Sequence, residues 1–416
     1  MASSHAGFGS RLGAVLLGAG LATAAMALVI APVMAAEKKD EKKPEQLSPK
    51  VIEKLKPAHE ALDKSDTEKC VALSKEAVEA SKTPYDTLQS LTYERACYAK
   101  VKDIPNYVAV TEQLIVLPNY PEEDRGKSYQ TLAQFYSGLS NFEKAIDYTQ
   151  KWQQNGGGAD ADTMLWKLYL MQHDCVHGVV ALEKAVAGRE ASEVELRQLN
   201  ACYYELKDHP KRQAVMEQLV KRFMKHDYVY DLLLIYEDQK IDGHAKLNIW
   251  RLEYSKNYQT RESEFLEFAE EALDAGSPTE ALQVLNHGIE QKAVKLIAAS
   301  DRPSRLLAQA KQQAAEDKKQ IVALDREAQA GKSGEADVKV GLVYLGLGEN
   351  QKAIDSITRG LTPERVGKVK RVDDANMMLG IANARLGNKD AAIAAFKLAQ
   401  ADPRMAKAAT IWIDSL

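Results

Sequence analysis

The sequence has no excess of positive charge and few residues that interrupt helices. Its 416 residues carry 55 Lys and Arg against 59 Asp and Glu, for a formal net charge of −4. A chain that neutralises nucleic-acid phosphates needs a basic excess, so a nucleic-acid partner is excluded. Only 13 prolines and 24 glycines occur, and the dominant residues are those that lose least on entering a helix. The composition therefore predicts an all-α protein, and the length predicts several domains or a repeat array.

Motifs of common enzyme classes are also missing. The sequence has no Gly-x-Ser-x-Gly elbow, no His-Glu-x-x-His and no Cys-x-x-Cys. The run Ala330-Gly331-Lys332-Ser333 ends like a phosphate-binding loop, but Arg326 stands where that loop needs its first glycine. His173, Cys175 and His177 resemble metal ligands; we interpret the histidines as solvated residues on one helical face, with Cys175 pointing away. We expect no catalytic residue, metal, cofactor or small-molecule substrate, and hence no enzyme.

The first 36 residues differ in kind from the rest. Arg11 precedes an apolar run over residues 12–33 that ends in small residues, a pattern typical of a secretory signal peptide. The run is also long enough to span a bilayer, so a retained N-terminal anchor is the alternative. Residues 37–48 are interpreted as a charged linker. Either alternative places the remainder outside the cytoplasm, with membrane contact only through residues 1–36 if they are not cleaved.

A pattern of small and apolar residues recurs from Ser48 onward. The clearest copy runs from Tyr129 to Trp152, and two others run from Val340 to Gly360 and from Leu379 to Pro403. Each has an apolar–small pair, then a leucine, then an alanine. This pattern resembles the tetratricopeptide repeat (TPR), a helix pair whose small residues let two backbones approach closely. The resemblance implies a right-handed superhelical solenoid of about eight to ten repeats, in an N-terminal array (49–295) and a C-terminal array (296–416).

The residue near the start of each second helix sets the repeat period. Ten such positions are predicted: Cys70, Tyr107, Ala145, Gly178, Arg212, Ala245, Ala281, Gln320, Ala353 and Ala392. Their spacing fits a 34-residue repeat with short insertions, and the copy that contains Gln320 is the weakest. The amphipathic residues 405–416 are expected to form a cap, in which Ile411-Trp412-Ile413 cover the apolar face of the last repeat.

The four cysteines form two equally spaced pairs. Cys70 and Cys97 are 27 residues apart, and so are Cys175 and Cys202. The midpoint of each pair falls in a predicted loop between the second helix of one repeat and the first helix of the next. Residues equidistant from such a loop lie opposite each other, so we predict two disulfides that join adjacent repeats. Four buried free thiols are the alternative.

The first helices of the repeats are expected to line a concave surface. Tyrosine and arginine are favoured interface residues, and a groove of this kind suits an extended or helical peptide. The predicted contacts with a protein partner are Gln130, Gln134, Lys167, Arg197, Tyr204, Tyr230 and Leu234. Val338, Leu342 and Leu345 hold corresponding positions in later repeats and predict a second, more apolar contact region.

Three segments, residues 203–208, 271–285 and 373–380, resemble exported Gram-negative repeat proteins that accompany TonB/ExbB/ExbD-type envelope transport systems. The resemblance implies a periplasmic scaffold or adaptor, or one anchored in the inner membrane and facing the periplasm, with protein partners in the cell envelope. The alternative is a module that handles polysaccharide or peptidoglycan, or that assists outer-membrane assembly and processing.

Overall fold

The computed structural model describes residues 45–416. The predicted signal peptide or anchor (1–36) and most of the charged linker (37–48) lie outside the described residues. In the described part the regular structure is helical throughout. No helix there combines the length and the apolar character needed to cross a membrane.

Nine helical hairpins make up most of residues 49–400. The first seven are α1 (Pro49–Asp63) with α2 (Thr67–Ala80), α3 (Pro84–Val101) with α4 (Ile104–Ile115), α5 (Glu122–Gly138) with α6 (Phe142–Trp152), α7 (Gly158–Met171) with α8 (Cys175–Val186), α9 (Glu193–Glu205) with α10 (His209–Phe223), α11 (His226–Asp238) with α12 (Gly243–Ser255), and α13 (Glu262–Asp274) with α14 (Pro278–Glu290). A single long helix, α15 (Arg302–Ala330), separates them from α16 (Gly334–Gly346) with α17 (Asn350–Gly360) and α18 (Val372–Arg385) with α19 (Lys389–Gln400). Helix α20 (Ala406–Asp414) follows. This order of paired helices confirms the predicted all-α solenoid of TPR type.

The nine hairpins turn through the same local backbone conformation. The left-handed residues that end the first helices are Ser65, Lys102, Ser140, His173, Lys207, Lys240, Gly276, Gly348 and Gly387. In the first five hairpins an Asp or Asn follows directly, and its side chain accepts a hydrogen bond from a backbone N–H in the first turn of the second helix. The left-handed residue stops one helix and the cap starts the next, so short polar turns set the repeat.

The candidate metal-ligand cluster belongs to the fourth of these turns. His173 is its left-handed residue, and Nδ1 of His177 lies 2.7 Å from Oδ2 of the capping Asp174. The expectation that His173 and His177 share a helical face is wrong, because His173 precedes α8. Cys175 is committed to a disulfide.

Nine of the ten predicted second-helix positions lie in the first turn or shortly after the start of a second helix. The exception is Gln320, which lies in the middle of α15. Residues 302–330 contain no glycine and have only one proline, Pro303, in the first turn. Nothing in the segment therefore breaks the helix, and a 29-residue helix replaces the predicted hairpin.

Both predicted cysteine pairs lie at disulfide distance. The Cα atoms of Cys70 on α2 and Cys97 on α3 are 5.6 Å apart, and those of Cys175 on α8 and Cys202 on α9 are 5.2 Å apart. Each bond joins the second helix of one repeat to the first helix of the next, as predicted. All four cysteines are thus paired, and the described residues contain no free cysteine, which favours the disulfides over the alternative of four free thiols.

The C-terminal hairpins fold back against the middle of the array. Helix α16 contacts α14, α18 contacts α12, and α20 contacts α12 and α10. Oδ1 and Oδ2 of Asp374 on α18 bind Asn248 Nδ2 at 3.0 Å and His244 Nδ1 at 2.9 Å, both on α12. As a result, one continuous hydrophobic core extends from Leu165 to Trp412.

Helix α20 caps the last repeat and also closes this contact. The ring of Trp412 lies 5.3 Å from that of Phe396 on α19, so Trp412 packs on the last repeat as expected. Its indole Nε1 donates to the backbone oxygen of Asn248 at 2.7 Å, a link to the sixth repeat that the sequence did not indicate. The proposed division between residues 295 and 296 stays a prediction.

Candidate partner-binding groove

All seven predicted partner contacts lie on first helices, but the structure does not gather them into one site. Gln130 and Gln134 are on α5, Lys167 is on α7, Arg197 and Tyr204 are on α9, and Tyr230 and Leu234 are on α11. Two of them, Arg197 and Tyr230, share one concave site. They occupy equivalent positions of neighbouring repeats, 33 residues apart, so the repeat itself brings them together.

Arg197 and Tyr230 line a groove of about 660 Å³ between α9 and α11, which ends at the start of α13. We call it the first-helix groove. Its lining residues are Glu193, Arg197, Asn200, Ala201, Leu219, Lys225, Asp227, Tyr228, Tyr230, Asp231 and Arg261. The surface is polar, with charges of both signs and two tyrosines, which suits a polypeptide that offers its own donors and acceptors.

One ion pair and one hydrogen bond, both to Glu193, hold one edge of the groove in place. Lys225 Nζ lies 2.5 Å from Oε1 of Glu193, and the hydroxyl of Tyr228 donates to the same oxygen. The hydrogen bond from Lys225 is the main cause that lowers the pKa of Glu193. Burial, together with the bond to Glu193, raises the pKa of Tyr228 to about 12. Glu193 therefore stays ionised over the physiological pH range.

Asp231 is a half-buried carboxylate that lines the same groove. Burial raises the pKa of Asp231, and the nearby positive charge of Arg212 opposes the shift. Among the described contacts, Asp231 has no hydrogen-bond or salt-bridge partner in the chain. A donor on a ligand would thus meet an acceptor whose hydrogen-bonding capacity is free.

Two arginines cover tyrosine rings along the same surface. The guanidinium of Arg261 lies 5.2 Å from the ring centroid of Tyr230, and that of Arg212 lies 4.8 Å from the ring of Tyr204. Arg212 Nε also donates to Oδ1 of Asn200 at 3.4 Å. These contacts orient the cations across ring faces, and they leave Tyr204 67% exposed just outside the groove.

A half-buried histidine, His226, lies next to the groove residues Lys225 and Asp227. Nδ1 of His226 is 2.7 Å from Oε2 of Glu253, and Nε2 is 3.3 Å from Oε1 of Glu264. Both glutamates are completely buried. The ring of His226 lies 6.0 Å from that of Tyr230. The cluster therefore connects the start of α11 to α12 and α13, and it fixes the position from which Tyr230 enters the groove.

The other predicted contacts lie elsewhere on the first-helix surface. Gln134 and Lys167 are exposed, and Gln130 is half-buried. Lys167 Nζ lies 5.5 Å from the ring of Trp166. Leu234, 41% exposed, follows Tyr230 by one helical turn outside the groove lining. These positions stay predicted contacts of a ligand longer than the groove.

Sequence reasoning missed the residues that complete the groove. Asp227 and Asp231 lie one turn apart on α11, next to Tyr230. The helical spacing that selected Tyr230 would therefore also have predicted these two residues. Arg261 precedes α13 and has no such signal, because its position depends on how the loop after α12 returns to the array.

Two of the three residues of the predicted second contact region are buried, and the third, Leu342, is half-buried. Val338 and Leu345 are buried in the core, and Leu345 has no exposed surface. The backbone oxygen of Leu345 accepts a hydrogen bond from Arg385 Nη1 at 3.0 Å. The chain itself therefore covers this apolar face, because α16 and α18 pack against α14 and α12.

Comparison with known proteins adds few constraints. No protein-family model matches the sequence, and no curated protein matches it. Similar solved structures include a TPR protein from Parabacteroides merdae, at 11% identity and a TM-score of 0.29, with 70% of this chain and 99% of that one covered. The TPR domain of P58(IPK) aligns at 12% identity and a TM-score of 0.22, covering 88% and 99% of the two chains. The TPR2AB domain–pHSP90 complex of yeast Sti1 aligns at 11% identity and a TM-score of 0.22, covering 70% and 98%. The TPR-type architecture of this chain accordingly rests on its own helix pairs, turns and packing residues.

Proposed function

We propose that this protein is a non-catalytic scaffold that binds an extended protein segment in the first-helix groove. The observation that carries the proposal is the groove between Arg197 and Tyr230, formed by equivalent positions of adjacent repeats. Its lining offers donors, acceptors and aromatic surface along a track that continues past Tyr204 and Leu234. An extended chain presents backbone groups and alternate side chains to such a track.

The arrangement of the tyrosines favours a protein ligand over a glycan. A sugar ring stacks on an uncovered aromatic face, but the rings of Tyr204 and Tyr230 already carry guanidinium groups at 4.8 and 5.2 Å. One face of each ring is therefore occupied by a cation, which leaves less aromatic surface for a sugar. A peptide can instead pair its carbonyl and carboxylate oxygens with the arginine cations.

We further propose that the scaffold works outside the cytoplasm. Two disulfides are expected to persist in an oxidising compartment, and residues 1–36 are the predicted export signal or anchor. The resemblance to exported Gram-negative repeat proteins favours the periplasm and an envelope complex of the TonB/ExbB/ExbD type. In this proposal the array 49–295 carries the groove.

A photoreactive phenylalanine analogue tests the proposal. Introduced at Leu234 in the full chain and irradiated in intact cells, it should give a discrete envelope-protein adduct. The adduct should disappear when Arg197→Glu is added. The matched control places the same analogue at Leu398, 64% exposed on α19, and should give no such adduct. Failure to obtain an adduct at Leu234, or one that Arg197→Glu leaves unchanged, would contradict the proposal. Retardation in glycan-containing gels that Tyr230→Ala abolishes would favour the polysaccharide alternative.

A further inference from the structure

A second groove lies on the opposite helices of the array. It is a cavity of about 480 Å³ between α8 and α10, the second helices of the fourth and fifth repeats, and we call it the second-helix groove. Its floor is formed by Leu196, Leu199 and Tyr203 on α9, and its walls by Val186 and Val215. The floor is apolar and buried, whereas the space above it is open.

The same groove, one repeat later, is filled by a helix of this chain. Helix α20 contacts both α10 and α12, the next pair of second helices. There Lys407 Nζ of α20 lies 4.2 Å from the ring centroid of Tyr236, and Trp412 Nε1 donates to the backbone oxygen of Asn248 at 2.7 Å. Tyr236 and Asn248 are each 33 residues after Tyr203 and Val215 of the second-helix groove.

The polar contacts of the two grooves also correspond. The hydroxyl of Tyr203 donates to Oε1 of Glu183 at 2.5 Å, and the hydroxyl of Tyr236 donates to Oε1 of Glu217 at 3.0 Å. Glu183 and Glu217 hold equivalent places on α8 and α10. The side-chain arrangement that surrounds α20 thus recurs one repeat earlier, and α10 forms a wall of both grooves.

Burial distinguishes the open groove from the filled one. Ala214 and Gln218 on α10 are exposed. The equivalent residues on α12, Leu247 and Arg251, are each only 1% exposed, and α12 is the helix that α18 and α20 contact. On α8 the apolar Val180 is 64% exposed, one turn from Glu183 at the rim.

The rim gives the chemistry of an occupant. Each of its cations already has a carboxylate: Lys211 with Glu183 at 3.0 Å, Arg189 with Glu195 at 2.6 Å, and Arg222 with Glu190 at 3.3 Å. The rim therefore offers no unpaired charge, and the floor offers apolar surface. The residues of α20 that are buried in the filled groove and on the last repeat are of matching type: Ala408, Ala409, Ile411 and Trp412.

We propose that the second-helix groove docks an amphipathic helix of another protein, with a stripe of small and large apolar residues like that of α20. Helix α20 already forms an interface with α10 and α12. Helices α8 and α10 form the equivalent surface one repeat earlier, and no helix of the described chain fills it. This surface lies on the second helices, so the proposal is independent of the ligand proposed for the first-helix groove.

The test uses a fluorescent peptide with the sequence of residues 402–416 as the probe, and the full chain as its receptor. We expect saturable binding by anisotropy, which Ala214→Lys weakens by about tenfold or more, since the lysine enters the groove. The control Ala201→Lys, an exposed alanine of the first-helix groove, should leave the dissociation constant within about twofold.

A third variant separates docking from exchange with the chain's own helix. Trp412→Ala loosens α20, so it would strengthen peptide binding if the peptide merely replaced α20 between α10 and α12. Docking in the second-helix groove requires that Trp412→Ala leave the affinity unchanged. Tighter binding by Trp412→Ala, insensitivity to Ala214→Lys, or no saturation below about 1 mM peptide would each overturn the proposal.

Discussion

The guanidinium of Arg251 makes three hydrogen bonds to the carboxylate of Glu280, at 3.0, 3.1 and 2.7 Å, and both side chains are buried. Arg385 of α18 approaches the same carboxylate at 3.4 Å. Burial by itself would raise the pKa of Glu280, but the charges of Arg251 and Arg385 hold it at about 2. Glu280 is therefore a permanent anion that joins α12, α14 and α18.

Replacing Glu280 by glutamine should destabilise the protein by about 3–5 kcal/mol, because the amide keeps the shape and leaves Arg251 buried without its counter-charge. Urea unfolding followed by circular dichroism at pH 7 measures the loss. Glu290→Gln, an exposed change on the same helix, is the matched control and should stay within about 0.5 kcal/mol. Equal stabilities of the two variants would show that the buried pair contributes nothing.

Removing one disulfide should lower stability by about 3 kcal/mol under non-reducing conditions, as expected for closing a loop of this length in the unfolded chain. The double variant Cys175→Ser, Cys202→Ser tests this by chemical unfolding, and Cys70→Ser with Cys97→Ser is its counterpart at the other end. With reductant present, each double variant should approach the wild type. Thiol titration of the unreduced, denatured wild type should find none, and four titratable thiols would contradict both bonds.

Gly380 should not tolerate even one added methyl group. A Cβ at this position would lie 2.4 Å from the ring of Phe396, so Gly380→Ala is expected to cost about 1–3 kcal/mol through overpacking. Gly138→Ala, in α5, meets nothing within 4 Å and should be neutral or slightly stabilising, since alanine favours a helix. Thermal unfolding of both variants is the measurement. Equal unfolding midpoints would mean that α18 and α19 are far enough apart at Gly380 to accept a methyl group.

The features that were predicted correctly from sequence depend on local spacing. The small residues that open second helices and the mirrored Cys175 and Cys202 are all fixed by positions within one or two repeats. The continuous helix α15 was missed because its repeat pattern is weak, and helix propensity alone, with no turn residue near Gln320, correctly indicates a single helix.

The fold-back of the C-terminal hairpins has no comparable signal. His244 and Asp374 meet although 130 residues separate them, and neither residue departs from what an exposed helix position would contain. The burial of Leu345 follows from the same long-range contact. In the candidate site the repeat period explains why Arg197 meets Tyr230, whereas the approach of Arg261 depends on a loop whose path no periodicity sets.

His226 should make the protein less stable as the pH rises above neutrality. Its hydrogen bond to Glu253 raises the pKa of His226 above the ordinary 6.5, against the opposing effect of burial. A histidine with a raised pKa in the folded state stabilises it fully below about pH 6.5, and that stabilisation is lost as the pH passes the raised value. Burial also raises the pKa of Glu253, which acts in the same direction.

The measurement compares wild type with His226→Gln across a pH series. The variant should be less stable at about pH 6, and the difference in free energy of unfolding should shrink toward about pH 9 as the wild type loses its imidazolium. His209→Gln, an exposed change at the start of α10, is the matched control and should stay within about 0.5 kcal/mol of the wild type. A difference in free energy of unfolding between wild type and His226→Gln that does not vary with pH would mean that the imidazole ring is neutral throughout.

Trp412 should hold the C-terminal half against the middle repeats. The side chain is 3% exposed, packs on Phe396 and bonds to the backbone of Asn248, so Trp412→Ala is expected to cost about 3–5 kcal/mol. The loss should be local, because a TPR-type array transmits stability mainly between neighbours. Hydrogen exchange should therefore accelerate in α12, α18 and α20 but not in α1–α4. Leu398→Ala, 64% exposed on α19, supplies the control and should leave exchange unchanged. Uniform acceleration along the chain would mean that the nine repeats unfold as one unit, and protection of α12 equal to the wild type would mean that α20 does not cover it in solution.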